Sequence, residues 1–177
     1  KSATQIVGID GANGVVKLGD AEPKFQMNFF NELTFLKDFS LRFLLHWKNK
    51  GDNINLSELL TDLGGTSPDF DADKNGNNIA DGQDRINSLG TSARIFVQDA
   101  GYFRLREIGL YYTVPKIPVS FIKGLRVGVS ANNYWTSTNY KNYDPEVSNF
   151  GTGFSTNVDV MPFPASKRAT FHLTVDF

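Results

Sequence analysis

KFQMNFFNELTFLKDFSLRFLLHWK, residues 24–48, alternates apolar and polar side chains almost without a break. Phe25, Met27, Phe29, Leu33 and Phe35 fall on one phase, with Lys24, Gln26, Asn28, Glu32 and Thr34 on the other. After Lys37-Asp38 the pattern restarts, with Phe39, Leu41, Phe43, Leu45 and Trp47 opposite Ser40, Arg42, His46 and Lys48. A period of two places successive side chains on opposite faces of a strand. The stretch therefore predicts two strands, 24–36 and 38–48, joined by a tight two-residue reversal at Lys37-Asp38.

The same signal recurs three times further on. Residues 102–113 carry Phe103 and Leu105 in one phase but Ile108, Leu110 and Tyr112 in the other. This one-residue slip predicts a β-bulge near Arg106-Glu107. Residues 124–135 set Leu125, Val127, Val129, Ala131 and Trp135 against Arg126, Gly128, Ser130 and Asn132. Residues 168–177 set Phe171, Leu173, Val175 and Phe177 against Thr170, His172, Thr174 and Asp176. The links alternate in length. The Lys37-Asp38 turn and the Val114–Pro118 turn are short, whereas 49–100 and 136–166 are long. Short turns on one side and long loops on the other characterise bacterial outer-membrane barrels, whose short turns face the periplasm. Each strand approaches the about 9–11 residues a tilted crossing needs, and Trp47, Tyr111, Tyr112, Tyr134 and Trp135 sit near strand ends. The expected fold is all-β, with the long loops extracellular.

Composition agrees. The 177 residues include 15 Phe and carry a net charge of −1, which offers nucleic acid no electrostatic attraction. Absence of cysteine excludes a disulfide framework, a thiolate metal site and a Cys nucleophile. No stretch is apolar enough for a spanning helix, so any membrane role falls to the strands. The first residue is Lys1, without a signal-peptide pattern, and a processed chain or a fragment is expected.

The 49–100 loop holds the clearest local motif, Asp71-Ala72-Asp73-Lys74-Asn75-Gly76-Asn77-Asn78-Ile79-Ala80-Asp81-Gly82-Gln83-Asp84. Alternate Asp and Asn in a tight turn supply the oxygen ligands that calcium takes. Two registers are open. One begins at Asp71, with Asp73 and Asn75 following and Gly76 at the turn, but lacks a closing carboxylate. The other begins at Asp73, with Asn75, Asn77, Asp81 and Asp84 in ligand positions and Asn78 at the turn. Such residues also form solvated loops without metal. Upstream, residues 55–63 predict a short helix capped by Asn55, ended by Gly64-Gly65, and packing Leu56, Leu59, Leu60 and Leu63 against its own loop. Arg42, Lys48, Arg104, Arg106 and Arg126 are expected to be solvated or paired on the polar faces, and His46 and His172 carry no ligand pattern. Neither a catalytic constellation nor a phosphate loop is present, so no enzyme is expected. Gly11-x-x-Gly14 and Gly151-x-Gly153 are too short to assign.

Three further runs carry a resemblance. They are Leu18-Gly19-Asp20-Ala21-Glu22-Pro23-Lys24-Phe25; Tyr102-Phe103-Arg104-Leu105-Arg106-Glu107-Ile108 continuing to Tyr112-Thr113-Val114-Pro115; and Leu125–Asn133 followed by Thr138-Asn139-Tyr140-Lys141-Asn142-Tyr143-Asp144-Pro145-Glu146-Val147. Together they resemble the C-terminal region of SusC-like TonB-dependent outer-membrane transporters of the Bacteroidetes type. The resemblance implies the C-terminal part of a barrel of roughly 22 strands around a plugged lumen. It also implies nutrient import, of glycan oligomers or peptides, with a SusD-like surface lipoprotein above and TonB acting through an N-terminal part that these residues lack. Five strands cannot close a barrel, so the remainder of the barrel and the plug are expected beside them, with outer-membrane lipid outside. Two rivals remain: a non-transporting barrel subunit of a secretion or surface assembly, and a soluble calcium-binding β-sandwich module. The second would need another sheet to cover Phe25, Phe29, Phe35, Phe39, Phe43 and Trp47, and few strands are left to build it.

Overall fold

The computed structural model describes residues 17–147 and 157–177. In chain order its elements are β1 (Phe25–Phe35), β2 (Phe39–Asn49), β3 (Asp52–Asn55), α1 (Leu56–Leu63), α2 (Asp81–Asn87), a 3-10 turn (Ala93–Phe96), β4 (Val97–Asp99), β5 (Tyr102–Thr113), β6 (Gly124–Thr138), β7 (Val158–Asp159) and β8 (Arg168–Asp176). They form two units. A strand unit comprises Lys24–Asn49, Gly101–Thr138 and Ala165–Phe177, and a loop unit holds Lys50–Ala100 and the described part of Asn139–Pro164.

The strand unit is a single antiparallel sheet in the order β1-β2-β5-β6-β8. Residues opposite each other in an antiparallel pair share a face, so the register tests the alternation directly. Leu33 faces Leu41, Leu41 faces Leu110, Leu110 faces Val129, and Val129 faces Phe171. One apolar row thus runs across the whole sheet. The opposite face carries Asn28, His46, Arg104, Ser130 and His172. The order skips β3, β4 and β7 because the long connections between β2 and β5 and between β6 and β8 pair with each other in a separate sheet, and each returns the chain to the edge of the strand it left.

The bulge lies where the phase slips. Leu45 pairs Leu105 and Leu44 pairs Glu107, leaving Arg106 as the extra residue. Two consecutive side chains, Arg106 and Glu107, thereby reach the polar face, and the apolar row resumes at Ile108. On the partner side Trp135 pairs Leu105 and Asn132 pairs Glu107, and Asn133 between them has φ 58°.

Two details differ from the expectation. The first hairpin has a three-residue turn, Leu36-Lys37-Asp38, because Phe35 pairs Phe39. Leu36 and Lys37 both take positive φ, 49° and 67°. Second, β6 runs to Thr138, with Thr136, Ser137 and Thr138 pairing Arg104, Phe103 and Tyr102. Those three residues are all polar, so they show no alternation, yet their backbones complete the ladder. Gly128 is required by close approach: a Cβ there would lie 2.3 Å from Cδ1 of Tyr111.

The loop unit has its own small sheet, order β4-β3-β7, with β3 antiparallel to β4 and parallel to β7. Gly11, Gly14, Gly151 and Gly153 lie outside the described residues.

Candidate functional site

The loop unit concentrates buried polar chemistry. Asn55 caps α1, its Oδ1 accepting the Glu58 backbone N–H at 2.9 Å. Helix α1 then buries its polar edge, Ser57, Glu58 and Asp62, while Leu60 and Leu63 stay exposed at 42% and 58%. The expected packing of the leucine face is therefore corrected for those two residues. The helix docks through ion pairs and hydrogen bonds on its other side.

The dominant partner is Arg85 of α2. Its Nε donates to Asp62 Oδ2 at 2.7 Å and its terminal nitrogen to Asp62 Oδ1 at 2.7 Å, a two-pronged bond. The same terminal nitrogen reaches Asp69 Oδ1 at 2.9 Å, and Glu58 Oε1 lies 3.7 Å from Nε. The Asp62 side chain is fully buried. Lys74 closes the group with a bond to Asp69 at 2.9 Å. Lys74, then Arg85, hold the Asp69 carboxyl well below its ordinary range, at about 2. The Asp62 hydrogen bonds, first among its causes, raise the Arg85 guanidinium further still.

A second knot centres on Asp159, fully buried in β7. It accepts from Tyr140 Oη at 2.9 Å, from Asn142 Nδ2 at 2.7 Å and from the Ser57 hydroxyl. Burial, with Asp159 beside it, pushes the Tyr140 phenol well up. Two separate stretches of the unit, at Ser57 and at Tyr140–Asn142, are thus tied to a carboxylate on a third. Beside these knots lies a cavity of about 680 Å³, walled by Ser57, Glu58, Asp69, Lys74, Lys141 and Tyr143 among others. Its charges compensate in pairs, Lys141 with Glu58 at 3.0 Å and Lys74 with Asp69.

The 71–84 loop is ordered by its own side chains. Asp73 accepts the backbone N–H groups of Asn77 at 3.1 Å and Asn78 at 3.0 Å. Asp84 Oδ2 accepts from the side-chain amides of Asn75 and Asn77 at 3.1 and 3.2 Å. Asp81 opens α2 and accepts the Lys74 N–H at 3.2 Å. Asn78 sits at φ 62°. Asp73, Asn75, Asn77 and Asp84 are thus joined by hydrogen bonds within the loop, Asp81 bonds the Lys74 backbone beside them, and Asp71, like Asp73, Asn75 and Asn77, is exposed. Among the described residues no three His, Cys, Asp or Glu side chains group as a metal site, so any cation here would draw on Asn oxygens as well.

On the polar face of the large sheet the arginines are paired, as expected. Arg42 donates to Glu32 at 2.8 Å, and Arg42 and Arg126 lie 5.3 and 4.7 Å from the centre of the Tyr111 ring. Arg126 also donates to Ser40 Oγ at 2.7 Å, and Arg104, 2% exposed, to Thr136 Oγ1 at 2.9 Å. The bulged Arg106 brings its guanidinium 2.8 Å from His46 Nδ1 and bonds Tyr102 Oη at 3.2 Å. His172 pairs with Ser130 at 2.8 Å. Both histidines thus belong to side-chain networks on the polar face of the sheet. Sequence reading missed the Arg85 clamp and the Asp159 knot, whose members lie up to 102 positions apart. The only local hint was a lone Arg directly after the acidic run.

An antiparallel sheet with one apolar and one polar face, its strands joined alternately by short turns and long connections, is the arrangement expected of strands in a barrel wall. Comparison with known proteins narrows it. TonB-dependent receptor P39 of Formosa agariphila is 32% identical over 98 residues, 52% of this chain and 9% of that protein. TonB-dependent receptor P26 of the same organism is 25% identical over 190 aligned residues, 96% of this chain and 18% of that protein. The RagAB peptide transporter structure matches 89% of this chain and 17% of that chain, with a TM-score of 0.66 and 22% identity. The RagAB importer in its open-open state matches 89% at a TM-score of 0.60 and 19% identity. No family model matches. The chain spans less than a fifth of the length of the curated relatives it matches. It is similar in sequence to TonB-dependent receptors and shares its all-β fold with a part of the RagAB peptide transporter structure.

Proposed function

We propose that this chain forms barrel wall and extracellular loops of an outer-membrane TonB-dependent importer for nutrient oligomers, peptides or glycans, and carries out no bond chemistry. The observation that carries this reading is the unbroken apolar row across five strands, backed by a polar, arginine-paired face. In water such a row would be an aggregation hazard, with Phe171 and Leu173 69% and 61% exposed. Against lipid it is the required surface, and the polar face then lines the lumen. Among the described residues β1 and β8 each pair on one side only. Open edges are not tolerated in lipid, so further strands complete the barrel, and a plug fills its lumen. TonB engages another part of the same protein.

A SusD-like lipoprotein is the proposed partner above the loops, and the exposed Leu60 and Leu63 of α1 offer it an apolar contact. The intact protein, extracted from outer membranes in mild detergent, should bring such a lipoprotein with it. Leu60→Glu combined with Leu63→Glu should weaken that association while leaving barrel abundance unchanged. Cells lacking the protein should lose growth on one class of oligomer. Full growth on every peptide and glycan tried, with no lipoprotein recovered, would overturn the reading.

Calcium in the 71–84 loop is a second proposal. The register starting at Asp73 is favoured because it alone ends on a carboxylate, Asp84; the turn positions of both registers, Gly76 and Asn78, hold a left-handed φ. Half a turn of the Asn75 and Asn77 amides would add their oxygens to those of Asp73, Asp81 and Asp84. Calorimetric titration of the intact protein should show saturable calcium binding that Asp73→Ala abolishes and Asp71→Ala spares. Absence of binding at millimolar calcium would dismiss it.

A further inference from the structure

Asn75-Gly76, within the 71–84 loop, also combines the features that let an asparagine side chain react with its own backbone. A backbone nitrogen can attack the side-chain amide carbon of the Asn before it, closing a five-membered ring. A side chain on the following residue normally obstructs this. Gly76 has none; it sits at φ 72°, and nothing lies within 4 Å of the place its Cβ would take. Asn75 is exposed to water. Its Oδ1 accepts the Asn77 backbone N–H at 2.9 Å, an Asx turn that folds the side chain over the Gly76 peptide unit. That N–H is placed to meet the negative charge that develops on Oδ1 when the amide carbon becomes tetrahedral.

We propose that Asn75 is a site of spontaneous deamidation in the folded protein, converting to aspartate and isoaspartate. The Gly76 nitrogen bonds to Asn75 Cγ and the Cγ–Nδ2 bond breaks. Ammonia departs with the proton lost from the Gly76 N–H. Water then opens the ring at either carbonyl, leaving Asp at 75 or an isoaspartyl link in which the backbone runs through the former side chain. Either product sets a carboxylate against Asp84, which had accepted the Asn75 amide at 3.1 Å. Repulsion between like charges then replaces a hydrogen bond and loosens the loop. Asn77 and Asn78 stand in the same loop but precede residues with side chains, Asn78 and Ile79, so they serve as internal controls.

The test is incubation of the intact, detergent-purified protein at mildly alkaline pH. Peptide mapping by mass spectrometry and enzymatic labelling of isoaspartate follow over time. Asn75 should gain the mass of an amide-to-acid exchange and acquire isoaspartate, while Asn77 and Asn78 stay amidated. Gly76→Ala should slow conversion by roughly tenfold or more, because a side chain at 76 crowds the attacking nitrogen; tenfold corresponds to about 1.4 kcal/mol in the barrier. Asn75 remaining an amide in the unmodified sequence, or converting no faster than in Gly76→Ala, overturns the proposal. The other Asn-Gly pair, Asn13-Gly14, is resolved separately by the same map.

Discussion

Phe29→Arg is expected to remove most of the protein from the outer membrane. Phe29 lies near the middle of β1, opposite Leu45 and 52% exposed, on the same apolar face as the row through Leu33. An arginine at the bilayer midplane of a barrel costs about 2–4 kcal/mol, falling towards zero at the interfaces. That is a large part of ordinary folding stability. The adjacent Asn28 belongs to the polar face opposite His46, and Asn28→Arg should leave abundance unchanged. Quantifying folded protein in outer-membrane fractions compares the two. Equal loss from both would mean that the two faces do not see different solvents.

Arg85→Ala is expected to unfold the loop unit without touching the barrel wall. Removing the guanidinium leaves Asp62 charged, fully buried and without its two-pronged partner, and strips a bond from Asp69. Breaking a buried pair in this way costs about 3–5 kcal/mol. Arg85→Lys should rescue little, because an ammonium cannot span both Asp62 oxygens and Asp69 at once. Asp62→Asn placed on Arg85→Ala should recover part of the loss by removing the stranded charge. Limited proteolysis on intact cells reads the effect as new cleavage within Lys50–Ala100. An unchanged cleavage pattern would show that the clamp does not hold the unit together.

The large sheet was legible because its environment differs on its two sides. Phe25 to Trp47 alternate since each successive residue meets a different medium, and the phase slip at Arg106-Glu107 is the bulge itself. Where both sides are polar the pattern vanishes, so the end of β6 at Thr136–Thr138 escaped, as did the short β3, β4 and β7. The hairpin turn was read one residue short because Leu36 continues the apolar pattern while its φ of 49° already belongs to the turn.

Helix α1 shows the limit from another side. Its cap and its glycine end were written locally, at Asn55 and Gly64-Gly65, but the face it buries was not. The leucine stripe predicted apolar packing, and Arg85, 23 positions beyond Asp62, turned the polar edge inward instead. Within the candidate site, the 71–84 run was readable because its donors are adjacent in sequence. The Asp62–Arg85–Asp69 clamp and the Asp159 knot were not, because partners so far apart leave no periodic trace.

The most direct measurement is membrane fractionation of the native protein containing this sequence, followed by electrophoresis with and without heating. The expected result is a species in the outer membrane, far larger than 19.7 kDa, whose mobility changes when heat opens a closed barrel. A 19.7 kDa monomer that stays in the soluble fraction and folds without detergent would contradict the barrel-wall account.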